Sequence, residues 1–197
     1  MAQLRRLILV RHGETTDGSA QRMIGAGDPP LSDEGREQLR AGAPVLRSQL
    51  VDWVVASTLR RSWQAAQYLA PGQKIRLDSD LREIDFGRWE GKSLPEIQAS
   101  DPALYDAWQE GAPGFEYPGG ELRAEFRKRV ERGLGRIQES GAASALVVVH
   151  KGVIRTIAES LTGAPIDRSE PPLGGVVLLT HGGQGWFVGQ TASDPRV

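Results

Sequence analysis

The stretch that decides the fold is Leu7-Ile8-Leu9-Val10-Arg11-His12-Gly13-Glu14. Four consecutive apolar residues, some of them β-branched, read as a strand buried on both faces, the kind found in parallel sheets. The run stops at an arginine, a histidine and a glycine. A guanidinium and an imidazole at the end of a buried strand are costly to desolvate unless they meet an anion or carry out chemistry. In α/β sheets, ligands sit outside the carboxyl ends of the strands. Arg11 and His12 are therefore expected to face an anionic substrate.

Two further stretches repeat the pattern. Trp53-Val54-Val55-Ala56 is a buried strand ending at Ser57, and Ala145-Leu146-Val147-Val148-Val149 is another ending at His150. Helical segments lie between and after them. Ser32 reads as the N-cap of a helix with Leu39, Leu46 and Leu50 on one face. Leu59 to Leu69 carries Leu59, Trp63, Ala66 and Leu69 at core spacing and ends at Pro71-Gly72. Glu121 to Glu139 aligns Leu122, Phe126, Val130, Leu134 and Ile137, and Val153 to Leu161 follows His150 directly. Lys74 to Leu77 is a short edge strand. Val176–Thr180 and Trp186–Val188 form a terminal hairpin around His181-Gly182-Gly183, and the tail from Ser193 reads as loose. Alternating strands and helices predict an α/β fold: a three-layer α/β/α sandwich with a mostly parallel sheet and one antiparallel strand.

Size fits this reading. The chain has 197 residues, 39% of them hydrophobic, which suits a single domain spanning 1–197. The region of about 84–121 differs in texture, with Phe86, Trp89, Trp108, Phe115 and Tyr117 among glycines and prolines. It reads as a lid-like insertion over the sheet. Within it, Ser93 and Glu96 match a capping box, and Asp101-Pro102 an N-cap followed by proline at the first helical position. Its aromatic residues read as a small core of its own rather than a stacking surface for substrate.

Charges nearly cancel, with 24 basic and 25 acidic residues, so no global field favours nucleic acid or an anionic membrane. The absence of cysteine excludes disulfides, thiolate nucleophiles and cysteine-type zinc sites, and it agrees with a cytoplasmic location. No apolar run approaches the roughly 20 residues of a membrane span. The histidines lack metal-binding spacing, and no Gly-x-x-x-x-Gly-Lys loop occurs. No metal and no cofactor are expected.

The strand ends should converge. Parallel strands place Arg11-His12, the Ser57-to-Arg61 turn and His150 on one rim. Two guanidiniums and two imidazoles there can neutralise the oxygens of a transferring phosphoryl group, which is the dominant need in phosphoryl transfer. A carboxyl group is still required to protonate a leaving oxygen, and Leu81-Arg82-Glu83-Ile84-Asp85 supplies candidates.

Together, Arg11-His12-Gly13-Glu14, Ser57–Arg61–Gln64, Leu81-Arg82-Glu83, Pro118-Gly119-Gly120-Glu121 and His150 resemble the histidine phosphatase superfamily, the phosphoglycerate mutase-like enzymes. The similarity runs from residue 7 to about 190. The resemblance implies that His12 becomes phosphorylated, with Arg11 beside it as a phosphate ligand. The second arginine falls four residues after the serine, at Arg61 rather than Arg60. Glu83 matches the proton donor, and His150 the second histidine. The catalytic set so implied is His12, Glu83, Arg11, Arg61 and His150. The substrate-binding set is Arg11, Arg61, His150, Gly25 and Lys151. His12 should attack as the neutral imidazole, its other nitrogen donating to a backbone carbonyl, and Glu83 should be held protonated by burial.

Two positions depart from the family pattern. Asp17-Gly18 stands where an asparagine often touches the phosphate, and Asp17 should point away. Lys151 replaces the usual glycine after the histidine; it either adds a cation to the substrate rim or turns to solvent, as lone lysines usually do. Arg22 and Arg155 could touch substrate, with salt bridges the default for both.

The insertion decides between activities at this level. Between Ile84 and Glu121 it carries two basic residues, Arg88 and Lys92, against eight acidic ones. Such a lid is a poor host for a second phosphate. A phosphomonoester phosphatase acting on a small phosphorylated metabolite is therefore favoured over a cofactor-dependent phosphoglycerate mutase, or over a non-catalytic phospho-ligand binder. The Leu81–Gly91 stretch resembles the alpha-ribazole and fructose-2,6-bisphosphate phosphatase branches. A monomer or homodimer is expected.

Overall fold

Alternate side chains of the first strand, β1 (Arg6–Arg11), enter two different cores. A strand points successive residues to opposite faces, so helices must cover both sides of the sheet. The computed structural model describes residues 3–47 and 51–189. Leu50 and the tail from Ser193 lie outside the described residues.

On one side, Leu7 and Leu9 pack with Val55, Val147 and Val149 against α5 (Arg123–Gln138) and α6 (Lys151–Thr162). On the other, Ile8 and Val10 pack with Val54, Ala56, Leu146 and Val148 against α1 (Asp33–Arg47) and α2 (Arg60–Leu69). The remaining strands are β2 (Trp53–Ser57), β3 (Ile75–Asp78), β4 (Ser144–Val149), β5 (Val176–Gly182) and β6 (Gly185–Val188). The sheet order is β3-β2-β4-β1-β5-β6. β1, β2, β3 and β4 pair in parallel, while β5 runs antiparallel to both β1 and β6. One strand is thus reversed, as the terminal hairpin predicts.

Local signals behave as their chemistry dictates, with informative exceptions. The Ser32 hydroxyl accepts from Gly35 N–H at 3.0 Å, capping α1. Both halves of the Ser93–Glu96 capping box form at the start of α3 (Leu94–Ser100). Asp101 precedes α4 (Pro102–Glu110) but makes no side-chain cap. Its carboxylate instead accepts from Trp89 Nε1–H and Arg88, both at 2.9 Å. Leu122 is exposed at the head of α5 rather than part of its apolar stripe. His181 lies inside β5, edge-on to Trp186, and the hairpin turns at Gly183–Gln184.

Between Ile84 and Glu121, Trp89, Ile97 and Phe115 form a small core with Phe86, Trp108 and Tyr117 packed against it. The segment is tied to the loop after β1: Met23 N–H donates to Lys92 C=O, and Gly91 N–H returns to Met23 C=O. No helix among the described residues is long and apolar enough to cross a membrane.

Candidate active site

The parallel register sets the site. β1 lies directly beside β4, with Arg11 opposite Val149. The residues that follow, His12 and His150, therefore emerge side by side. Their ring centroids are 5.1 Å apart at an interplanar angle of 61°. β2 lies on the other side of β4 and ends at Ser57. There the Ser62 hydroxyl donates to Val148 C=O at 2.6 Å and accepts from Ser57 N–H at 2.9 Å. That tight turn aims Arg61, the second residue of α2, back across the rim.

The orientation of His12 follows from its partners. Nδ1 lies 2.7 Å from the Gly13 carbonyl oxygen. A carbonyl only accepts, so Nδ1 carries the proton and Nε2 keeps its lone pair. Arg61 Nε–H donates toward that lone pair at 3.2 Å. Burial first, then Arg61 and Arg11, holds the His12 pKa well below the ordinary histidine value. The ring is therefore neutral at neutral pH. His150 is fully buried, and burial with the same arginines pushes its pKa down in the same direction.

Arg61 is 0% exposed. Besides His12, its guanidinium donates to the carbonyls of Gly27 (2.6 Å), Gly25 (2.8 Å) and Ile24 (3.3 Å). Burial lowers its pKa to about 10, which still leaves it charged. Its neighbour Arg60 is exposed. Arg11 Nη1 donates to Pro171 C=O at 3.0 Å, while its buried Nε has no protein partner. Both ring nitrogens of His150 are likewise buried without partners. Buried polar groups normally find partners. Here the orphaned nitrogens belong to the very residues suited to holding an anion.

Glu83 is 8% exposed. Its Oε2 accepts from Gly152 N–H and its Oε1 from Ile84 N–H, both at 3.1 Å. Burial raises its pKa, against the opposing pull of those N–H groups and of Arg61 and Arg11. A side chain at position 152 would collide with this carboxyl group. The backbone behind Glu83 is clamped by Arg129 of α5, which donates to the carbonyls of Asp80, Arg82 and Glu83 at 2.6–2.9 Å and pairs with Glu121.

Gly25 has both polar backbone groups engaged. Its carbonyl accepts from Arg61, and its N–H donates to Glu90 at 3.1 Å. Its place is beneath Arg61. Glu90 also accepts from Ala26 N–H (2.8 Å) and Phe86 N–H (3.0 Å), so it stitches the post-β1 loop to the insertion. Glu14 is buried and accepts from Thr15 N–H, Ala20 N–H and the Ser19 hydroxyl. Asp17 is exposed, in keeping with the repulsion expected near an anion. Neither Glu90 nor Arg129 is marked by any sequence pattern. Their bonds reach backbone groups that only the folded chain brings near.

Beyond Glu83 opens a cavity of about 770 Å³. Of the five candidate catalytic residues, Glu83 alone borders it. Aromatic side chains line it, Phe86, Trp108, Phe115 and Tyr117 from the insertion and Phe126 from α5. Cations line it as well: Arg123 and Arg127 from α5, Lys151 and Arg155 from α6, and Arg168. Lys151 is half-buried in this lining rather than free in solvent. Arg22 by contrast pairs with Glu96 at 3.1 Å. None of the insertion's eight carboxylates lines the cavity. Glu96, Asp101 and Glu121 face their own arginines, and Glu90 faces backbone amides. The acidity of the insertion therefore says nothing about what the cavity admits. The aromatic residues likewise serve both as a small core and as a cavity wall.

The family model of the histidine phosphatase superfamily (branch 1) matches residues 7–193. The chain belongs to that superfamily. A glucosyl-3-phosphoglycerate phosphatase of Mycolicibacterium vanbaalenii is 34% identical over 98% of this chain and 88% of its own length. The crystal structure of the alpha-ribazole phosphatase from Shigella flexneri superposes with a TM-score of 0.79 at 26% identity, covering 95% of this chain and 96% of that one. The mycobacterial glucosyl-3-phosphoglycerate phosphatase structure gives 0.74 at 27%, covering 93% and 96%. As a histidine phosphatase superfamily member among such relatives, the protein is a phosphatase enzyme.

Proposed function

We propose that this histidine phosphatase hydrolyses small phosphorylated metabolites through a phosphohistidine at His12. The observation that carries the reading is the state of that ring: neutral, with Nδ1–H fixed to the Gly13 carbonyl and the Nε2 lone pair turned to Arg61. Arg11, Arg61 and His150 surround the position that a phosphoryl group attacked by Nε2 would occupy. Preorganised donors of this kind stabilise developing charge without reorganising during the reaction.

The steps balance. The Nε2 lone pair forms a bond to phosphorus while the bond to the ester oxygen breaks. Glu83, whose pKa burial raises, gives its proton to that oxygen, and an alcohol leaves. A water molecule then attacks the phosphohistidine, passing a proton to the Glu83 carboxylate. Inorganic phosphate departs and both residues return to their starting states. A non-catalytic binder has no use for a buried carboxyl group of raised pKa beside the leaving group. Gly25 serves by carrying Arg61, and Lys151 by facing the leaving group. The same reading places a single domain, with residues 84–121 as its lid, in the cytoplasm as a monomer or homodimer.

The test compares wild type with His12→Ala on p-nitrophenyl phosphate, with acid-quenched trapping of a radiolabelled phosphoprotein. We expect turnover to fall on the order of 10⁴-fold or more and the acid-labile label to vanish. A mutant that turns over as fast as wild type would overturn the proposal.

A further inference from the structure

Among the cations lining the cavity, Lys151 and Arg155 are the partly buried ones left unpaired; Arg123 also lacks a side-chain partner among the described residues but is exposed. Arg127 is paired with Glu159 at 3.0 Å. Arg168 donates to the carbonyls of Trp108 and Gln109. Among the described residues, Lys151 and Arg155 have no carboxylate partner within ion-pair distance, and Arg155 Nε is buried without any hydrogen-bond acceptor. They stand four residues apart on α6, and so on one face of it. The charges facing them are Arg11, Glu83 and Glu170 around Lys151, and Arg168, Glu159 and Asp167 around Arg155. None of the acids closes an ion pair with either cation. Two partly desolvated cations left unpaired side by side repel each other, and an anion between them relieves that cost.

Their placement ties them to the leaving group. Gly152, in the same helical turn, donates its N–H to Glu83. The leaving oxygen must lie at Glu83 to be protonated, and one turn of helix rises about 5.4 Å. An anion held between Lys151 and Arg155 therefore sits only a few bonds from the ester oxygen.

We propose that Lys151 and Arg155 form a second anion site, so that the preferred substrate is a phosphomonoester whose alcohol carries a further carboxylate or phosphate close to the ester oxygen. This rests on the reading of Glu83 as the leaving-group acid. The aromatic residues lining the same cavity accept the apolar face of whatever else the alcohol bears. Arg155 is the specificity-determining residue of the pair, because its planar fork can grip either oxyanion through two parallel bonds.

Two matched pairs separate the sources of the anion. 3-Phosphoglycerate against glycerol 3-phosphate isolates a carboxylate, and fructose 1,6-bisphosphate against fructose 6-phosphate isolates a second phosphate. Each compound is measured as a substrate and as a competitor of p-nitrophenyl phosphate, so that one bound without turnover still counts. We expect the anionic member of at least one pair to be favoured roughly 10- to 100-fold, the range that a charge-assisted hydrogen bond supports. The preference should lie in KM or Ki rather than kcat. Arg155→Gln should bring that ratio close to one, and Arg155→Lys should restore part of it. Equal affinity for both members of both pairs would overturn the proposal, as would a preference that survives Arg155→Gln combined with Lys151→Gln. Loss of p-nitrophenyl phosphate turnover in His12→Ala together with flat ratios sinks the second anion site alone. Turnover that is unaffected by His12→Ala sinks the proposed function itself.

Discussion

The rim where the strands end and the cationic wall of the cavity use the same residue types in opposite ways. At the rim, Arg61 is fully buried and spends its donors on His12 and on the carbonyls of Ile24, Gly25 and Gly27. At the wall, Lys151 and Arg155 are half-exposed and unpaired among the described residues. The first arrangement is rigid because every displacement breaks bonds that nothing else can replace. The second leaves long side chains free to adjust to a ligand. Chemistry common to all phosphomonoesters demands the former, while recognition of one particular alcohol needs only the latter. Mutations should therefore damage kcat at the rim and KM at the wall.

The largest effect within this contrast is expected at Glu83, which belongs to both regions. Glu83→Gln keeps the volume, and its single amide oxygen can accept from one of Gly152 and Ile84, but it has no acidic proton. An alkyl phosphate, whose alkoxide is a poor leaving group, should lose 10²- to 10⁴-fold in kcat, roughly what general acid catalysis contributes. p-Nitrophenyl phosphate should lose far less, because its phenolate leaves unaided. The pH profile sharpens the point. His12 must be neutral, so activity falls as pH drops through its lowered pKa, below 6.5. Glu83 must be protonated, so activity falls as pH rises through its raised pKa, above 4.5. The variant should keep the acid limb and lose the alkaline one. Equal losses on both substrates would mean that Glu83 is not the proton donor.

Arg61→Lys tests the rigidity of the rim. Charge is kept, but a compact ammonium cannot reach three carbonyls and an imidazole at once. We expect about a 10²-fold drop in kcat, similar to removing one preorganised donor. The carbonyls of Ile24, Gly25 and Gly27 left without partners should also lower the urea midpoint, each buried orphan costing about 1–3 kcal/mol. The same exchange at Arg155 should cost only part of the substrate preference. If the two exchanges behaved alike, the distinction between rigid rim and adaptable wall would collapse.

Much of this site was legible in the sequence, and what was not has a common cause. The strand ends announced themselves because four apolar residues followed by Arg11-His12 is a local pattern. Parallel topology then brought His12, Arg61 and His150 together from a distance. Glu90 and Arg129 gave no such sign, since their partners are backbone groups of other segments. From the sequence, Lys151 reads as either a cation on the substrate rim or a solvated one, and Arg155 as either a substrate contact or a salt-bridge partner. Whether such a side chain meets water or a cavity depends on how α5 and α6 seat against the insertion. The insertion's acids pointed to a phosphatase by their number, which is visible in sequence; their direction is not, and none of them lines the cavity. Leu122 and Asp101 show the same limit at single positions, a stripe residue left exposed and a cap residue taken by Trp89.

The smallest effect separates the two uses of the aromatic residues. Trp89 is fully buried and does not line the cavity, whereas Trp108 does. Trp89 packs against Phe115 and Tyr117 and donates its indole N–H to Asp101. Trp89→Phe keeps a ring but loses that hydrogen bond and some volume. The cost should be about 1–2 kcal/mol, a fall in Tm of roughly 2–8 °C for a chain of this size. Turnover of p-nitrophenyl phosphate should stay within about twofold, because no bond from Trp89 reaches Glu83 or the strand ends. Trp108→Phe should do the reverse, shifting KM for ring-bearing substrates more than Tm. A Trp89 variant that left Tm unchanged while raising KM would show that the insertion's core and the cavity wall are one surface, and that its packing, not its wall alone, sets what the cavity admits.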